Sequence, residues 1–192
     1  ATNPAYADWN FDFYTDAGLA ASVNDGIAEF CCPGQDEPVV VLLGGSEQKR
    51  LHHLRLCADQ LQKMSASVIA EGGAIVPTPP GFAETGLWIR DPHGMLINLV
   101  DQTPTKSEAI CAPFEINGPG RIVRRGKSAV LPSAAYAPVK PIKLGHVLVF
   151  TPDVSRSVEF ATRALSMGLA DQAQDVIAVC CARHDSDHHV LA

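Results

Sequence analysis

Leu144-Gly145-His146-Val147-Leu148-Val149-Phe150-Thr151-Pro152-Asp153 is the stretch on which the reading of the chain turns. Its first seven residues alternate small, polar and apolar side chains, which predicts a short strand. Thr-Pro-Asp then predicts a turn leading into a helix. His146 is the one polar side chain in that strand. A buried imidazole must be hydrogen-bonded or bound to a metal, or it costs free energy. Taken alone, His146 reads as a satisfied core histidine.

Working outward, the same pattern recurs. Leu144-x-His146 repeats Leu51-x-His53, and Asp153 and Asp59 follow the two histidines at similar distances. Phe160 to Leu169, ending Ser-Met-Gly-Leu, resembles Phe13 to Leu19, ending Asp-Ala-Gly-Leu. Self-similarity of this kind marks a repeated supersecondary unit, here about 50 residues of strand, helix and two or three strands. One unit precedes Gly45 without its first strand, one runs from Leu51 to Val100, and a third opens at Leu144.

Local signals fill in the units. A helix ends at Gly18, strands cover Ile27–Cys32 and Val39–Leu43, and a strand covers Leu51–Leu56. Apolar spacing at Leu61, Met64, Val68 and Ile69 predicts a helix from Ala58 to Ala70, stopped by Gly72-Gly73. Asp91-Pro92-His93-Gly94 is a type I turn joining two strands, with His93 exposed at its tip. Residues 102–142 hold many prolines and read as a linker, with Arg121, Arg124, Arg125 and Lys127 as a small basic patch.

Composition narrows the function. The 192 residues are 46% hydrophobic and 19% charged, with a net charge of −6, an ordinary globular balance. No long basic tract favours nucleic acid. No apolar run approaches the roughly 20 residues of a membrane span, and no secretory leader is visible, so a cytoplasmic location is expected. The six cysteines lack zinc-site spacing and read as reduced thiols.

Asp91-Pro92-His93-Gly94-Met95-Leu96-Ile97-Asn98-Leu99, Leu144-Gly145-His146-Val147 and the closing Asp187-His188-His189-Val190-Leu191-Ala192 resemble the vicinal oxygen chelate superfamily. Within it, the last two segments are similar to type I extradiol ring-cleavage dioxygenases. The resemblance implies an α+β fold of repeated βαβββ modules (glyoxalase-like). It implies an N-terminal non-catalytic domain over 1–101, a linker over 102–142, and the start of a catalytic metal-binding domain over 143–192.

The resemblance also implies roles. The enzyme would cleave a catechol-type aromatic with O2, in aromatic catabolism, using iron(II) in preference to manganese(II), and would assemble as a homo-oligomer. His146 matches the first iron ligand, His189 the acid–base histidine, and His188 a neighbour lining the pocket. An iron held by two histidines and a carboxylate keeps positions open for diol and dioxygen. In a strand His188 and His189 would face opposite ways, which selects His189 for the iron side. The second histidine ligand and the glutamate are expected beyond Ala192, so the chain reads as part of a four-module protein and as inactive alone. His53 and Asn98 occupy the N-terminal ligand positions, and a neutral Asn is a poor substitute for a carboxylate, so no metal is expected there. Two other readings stay open: a bleomycin-resistance-like binding protein, and a glyoxalase-like lyase or isomerase.

Overall fold

The computed structural model describes residues 4–45, 48–102, 119–120, 140–182 and 186–192, without the side chains of residues 4–9. The basic patch, Cys111 and most of the proline-rich segment lie outside the described residues. By internal contacts the chain forms two compact units, residues 1–48 with 105–143 and residues 49–104 with 144–192.

In the first unit, α1 (Pro4–Asp16) is followed by β1 (Ala20–Asn24), β2 (Ile27–Cys31) and β3 (Pro38–Leu43). The strands form an antiparallel sheet in the order β1-β2-β3. β1 was not anticipated from the sequence. Its signal is Asp25-Gly26, both at positive φ (50° and 77°), between the paired residues Asn24 and Ile27. A two-residue Asp-Gly loop with both φ positive matches the right-handed twist of a hairpin. Phe30, fully buried on β2, meets the rings of Phe11 and Tyr14 at 5.4 and 5.1 Å and so fixes α1 on the sheet.

The second unit begins with β4 (Leu54–Cys57), α2 (Leu61–Ala70), β5 (Ala74–Ile75), β6 (Leu87–Arg90) and β7 (Leu96–Val100). The sheet order is β4-β7-β6-β5, with β4 and β7 parallel. β4 is shorter than anticipated, so His52 and His53 precede it. α2 starts three residues later than its periodicity suggested. It ends as expected: Gly72 takes φ 73°, and Gly73 N–H donates to the Val68 carbonyl at 2.8 Å. The anticipated Asp-Pro-x-Gly turn is present, with Gly94 N–H donating to the Asp91 carbonyl at 3.0 Å. The Asp91 carboxylate accepts from the His93 and Met95 amides, and His93 is exposed.

Alternation along these strands gives two faces. Ile89, Ile97 and Leu99 join Met64 and Val68 of α2 in a core that also takes in Phe160, Ala164 and Leu165. Phe160 belongs to α3 (Val154–Arg163), capped by Asp153, whose carboxylate accepts from Arg156 N–H at 2.8 Å. The opposite face carries Trp88 and Asn98, which pair directly across β6 and β7. Arg156 donates to the Glu71 carbonyl at the end of α2 and pairs with Glu159 at 3.0 Å, tying the two helices together beside the shared core.

Gly86 has φ 72°, and a Cβ there would stand 2.2 Å from the Leu99 carbonyl oxygen. Neither that backbone atom nor the left-handed conformation can yield cheaply. Gly86→Ala is expected to lower stability by on the order of 3 kcal/mol. Urea unfolding followed by circular dichroism measures this as a lower midpoint at an unchanged slope.

Candidate active site around His146 and His189

α3 leads into β8 (Gly168–Ala173) and β9 (Ile177–Cys181), an antiparallel pair. Residues 144–150, anticipated as a strand, form no regular ladder. They are extended and make one parallel bridge, Val147 with Leu191. Val147 N–H donates to the Val190 carbonyl at 3.0 Å, Ala192 N–H to the Val147 carbonyl at 3.0 Å, and Val149 N–H to the Ala192 carbonyl at 2.8 Å. Leu191 also bridges Cys180 of β9 in the antiparallel sense.

These pairings reproduce the preceding module. In both, the opening segment runs parallel to the closing one, and the closing one lies antiparallel to the third strand. Leu54 pairs with Ile97 as Val147 pairs with Leu191. His53 and His146 therefore hold the same position, one residue before the first cross-pair. The repeat seen in the sequence is a structural repeat.

His146 is exposed on the same side of its segment as Leu144, Leu148 and Phe150, the last 98% exposed. The ring of the half-buried His189 lies against it, with centroids 4.3 Å apart and planes tilted by 57°. Two residues 43 apart in sequence are thus brought together because Val147 and Leu191 pair beside them. The opposite-facing arrangement expected for His188 and His189 is not found. Neither His188 nor His189 is in a strand, and they do not point to opposite faces. Their rings meet edge to face at 5.5 Å, and the two Nδ1 atoms are 3.2 Å apart. The chain is still turning at these residues, so strand alternation does not apply.

Cys180 pairs with the closing segment, and burial pushes its thiol pKa upward, with Cys181 adding to the shift. Cys31, Cys32, Cys180 and Cys181 form no disulfide among the described residues. On the equivalent face of the preceding module, the position expected for a carboxylate ligand is held by the neutral Asn98. Asn98, 3% exposed, donates to the Thr85 carbonyl at 3.1 Å. Around it the rings of His52, His53, Phe82 and Trp88 touch one another. Nothing in the sequence pattern marks Phe82 and Trp88 as the neighbours of His52 and His53. Trp88 was legible as the strand residue facing Asn98; Phe82 comes from a loop and left no periodic signal.

No group of three or more His, Cys, Asp or Glu side chains among the described residues could hold a metal ion. No helix among them is long and apolar enough to cross a membrane.

No family model matches the chain. It is 34% identical over 149 residues to metapyrocatechase 2 of Cupriavidus necator, a match spanning 76% of this chain and 45% of that protein. Two solved structures share its fold. One is BphC, a halotolerant catechol dioxygenase, with a TM-score of 0.63 and 19% identity over 99% of this chain and 61% of that one. The other is the 2,3-dioxygenase LapB from Pseudomonas sp. KL28, with a TM-score of 0.64 and 20% identity over 96% of this chain and 64% of that one. The chain thus spans about half the length of the curated relative it matches, and less than two thirds of either solved chain.

Proposed function

We propose that this chain, which belongs with the type I extradiol ring-cleavage dioxygenases of the vicinal oxygen chelate superfamily, serves the oxygen-dependent opening of a catechol-type ring in aromatic catabolism. The observation that carries the proposal is the contact between His146 and His189, placed by a repeat of the module fold. The curated relative, a metapyrocatechase, supports it.

In this reading His146 is an iron(II) ligand, and iron would polarise the diol and hold dioxygen beside it. The fit of the described residues to iron is partial. They supply His146 but no three-donor set, so no step through the metal follows from them. What these residues do is move and orient. His189, whose ring lies against that of His146, would exchange a proton with a hydroxyl of the bound diol. His188, with its Nδ1 3.2 Å from that of His189, limits the orientations the His189 ring can take and in this reading is the neighbour that lines the substrate pocket. The division into a non-catalytic part (1–101), a connecting part (102–142) and a catalytic part (143–192) belongs to the same reading, as do a cytoplasmic, homo-oligomeric enzyme and a small-molecule partner rather than nucleic acid or membrane.

The test is a colour assay. The protein expressed from its complete reading frame is loaded anaerobically with iron(II), given a panel of catechols and opened to air. A yellow ring-opened product is expected with at least one catechol. No product from any of them, at full iron loading, would contradict the proposal.

A further inference from the structure

The cluster around His52 and His53 takes no part in the proposed chemistry, yet it has an unusual feature. The Nδ1 atoms of these adjacent residues face each other at 2.8 Å. Two ring nitrogens at that distance need one proton between them: one donates and the other accepts. A neutral pair meets the requirement, and so does a singly charged one. A doubly charged pair cannot, because both Nδ1 atoms would then be donors.

The pair is also built into its surroundings. Phe82 stacks on His52 at 5.1 Å and meets His53 edge-on at 5.1 Å. Trp88, 4% exposed, packs on His53 at 4.9 Å and on Phe82 at 5.5 Å. The indole Nε1 of Trp88 is buried without a hydrogen-bond partner among the described residues, so this packing already bears a polar cost. The facing groups offer a second charge no relief. Arg50 comes from the segment before β4, Arg55 from β4 and Arg90 from β6, all cationic. Phe82 comes from the loop before β6, Trp88 from β6 and the neutral Asn98 from β7.

We propose that His52 and His53 form a one-proton latch, which holds Phe82 and Trp88 packed while a single proton lies between the rings and releases them when both rings are charged. The direction of titration agrees. Burial holds both imidazoles below the ordinary 6.5, with Arg50 and then Arg90 adding for His52, and His52 and then Arg55 adding for His53. A histidine lowered in the folded state binds its proton more readily in the unfolded one. The latch therefore contributes its full stability above 6.5 and loses it as pH falls below that value toward the lowered folded pKa. The fold thus carries an acid-sensitive element in its non-catalytic module, on the sheet face away from the shared core.

The test uses Trp88 as reporter in a Trp9→Phe background, since these are the two tryptophans of the chain. Emission is followed as pH falls from about 8 to about 4.5, the range in which histidine titrates. The emission maximum is expected to move to longer wavelength in one step centred below 6.5, as the indole becomes exposed to water. His52→Gln keeps a hydrogen-bonding group at the position but cannot be charged, and is expected to abolish the step while leaving the neutral-pH spectrum unchanged. His52→Phe provides a second non-titrating variant, also expected to lack the step. An unmoved maximum in the parent, or the same step in a folded His52→Gln, overturns the latch. Nitrogen-15 spectra of the imidazoles give an independent arm. The two rings are expected to titrate as a coupled pair, and two independent titrations would count against the proposal.

Discussion

Phe160→Ala is expected to destabilise the protein by about 3–5 kcal/mol, the cost of emptying a large buried aromatic site that cannot collapse. Phe160 is 3% exposed and sits in one core with Met64 and Val68 of α2 and with Ile89, Ile97 and Leu99 of the sheet. One wall is rigid. A Cβ on Gly73 would lie 2.8 Å from Phe160 Cε2 and 2.8 Å from the Arg90 carbonyl oxygen, so backbone and ring already touch there. Strand atoms held by a hydrogen-bonded ladder cannot move in to fill the space. The effect should therefore fall near the upper part of the range for such truncations. Chemical denaturation checks it through the midpoint, with the slope as a control for two-state behaviour. A loss below about 1 kcal/mol would mean that the helices of the two modules do not share this core.

His189→Ala is expected to lower ring-opening turnover by about 10²- to 10⁴-fold, the range for removing a positioned acid–base group. Iron content and the Michaelis constant for the catechol should change little, because His189 is assigned proton movement and not metal binding. His188→Ala is expected to have a smaller effect, under about tenfold, since it acts by orienting its neighbour. Iron analysis and steady-state kinetics separate these outcomes. A His189→Ala protein that lost its iron would reassign this residue as a ligand. One that kept full turnover would remove it from the site.

The two histidines show what the sequence made legible. His146 was found because Leu144-x-His146 repeats Leu51-x-His53, and the structure places both histidines at the same register before the first parallel cross-pair. A repeat is visible in sequence because the same packing problem is solved twice with similar residues. The faces of His188 and His189 were not legible, because alternation is a property of strands and regular pairing resumes only at Leu191. β1 was missed for a related reason. All five of its residues are exposed, so it carries no apolar alternation, and only the Asp25-Gly26 turn marks it. The starts of β4 and α2 lay a few residues later than their apolar patterns, since hydrophobic spacing marks the buried middle of an element better than its ends. The His52–His53 pair could not be foreseen. Adjacent histidines in sequence do not reveal that their Nδ1 atoms face each other or that a loop phenylalanine stacks on them.

The most direct test of the central claim follows the oxygen atoms. The iron-loaded protein from the complete reading frame is mixed with a catechol it turns over under oxygen-18 gas, and the product is weighed by mass spectrometry. Extradiol opening predicts that both labelled atoms appear in one ring-opened product, with oxygen consumed in equal amount to the catechol. A product without both labels, or catechol binding with no oxygen consumed, would contradict a ring-cleaving role for the His146–His189 site.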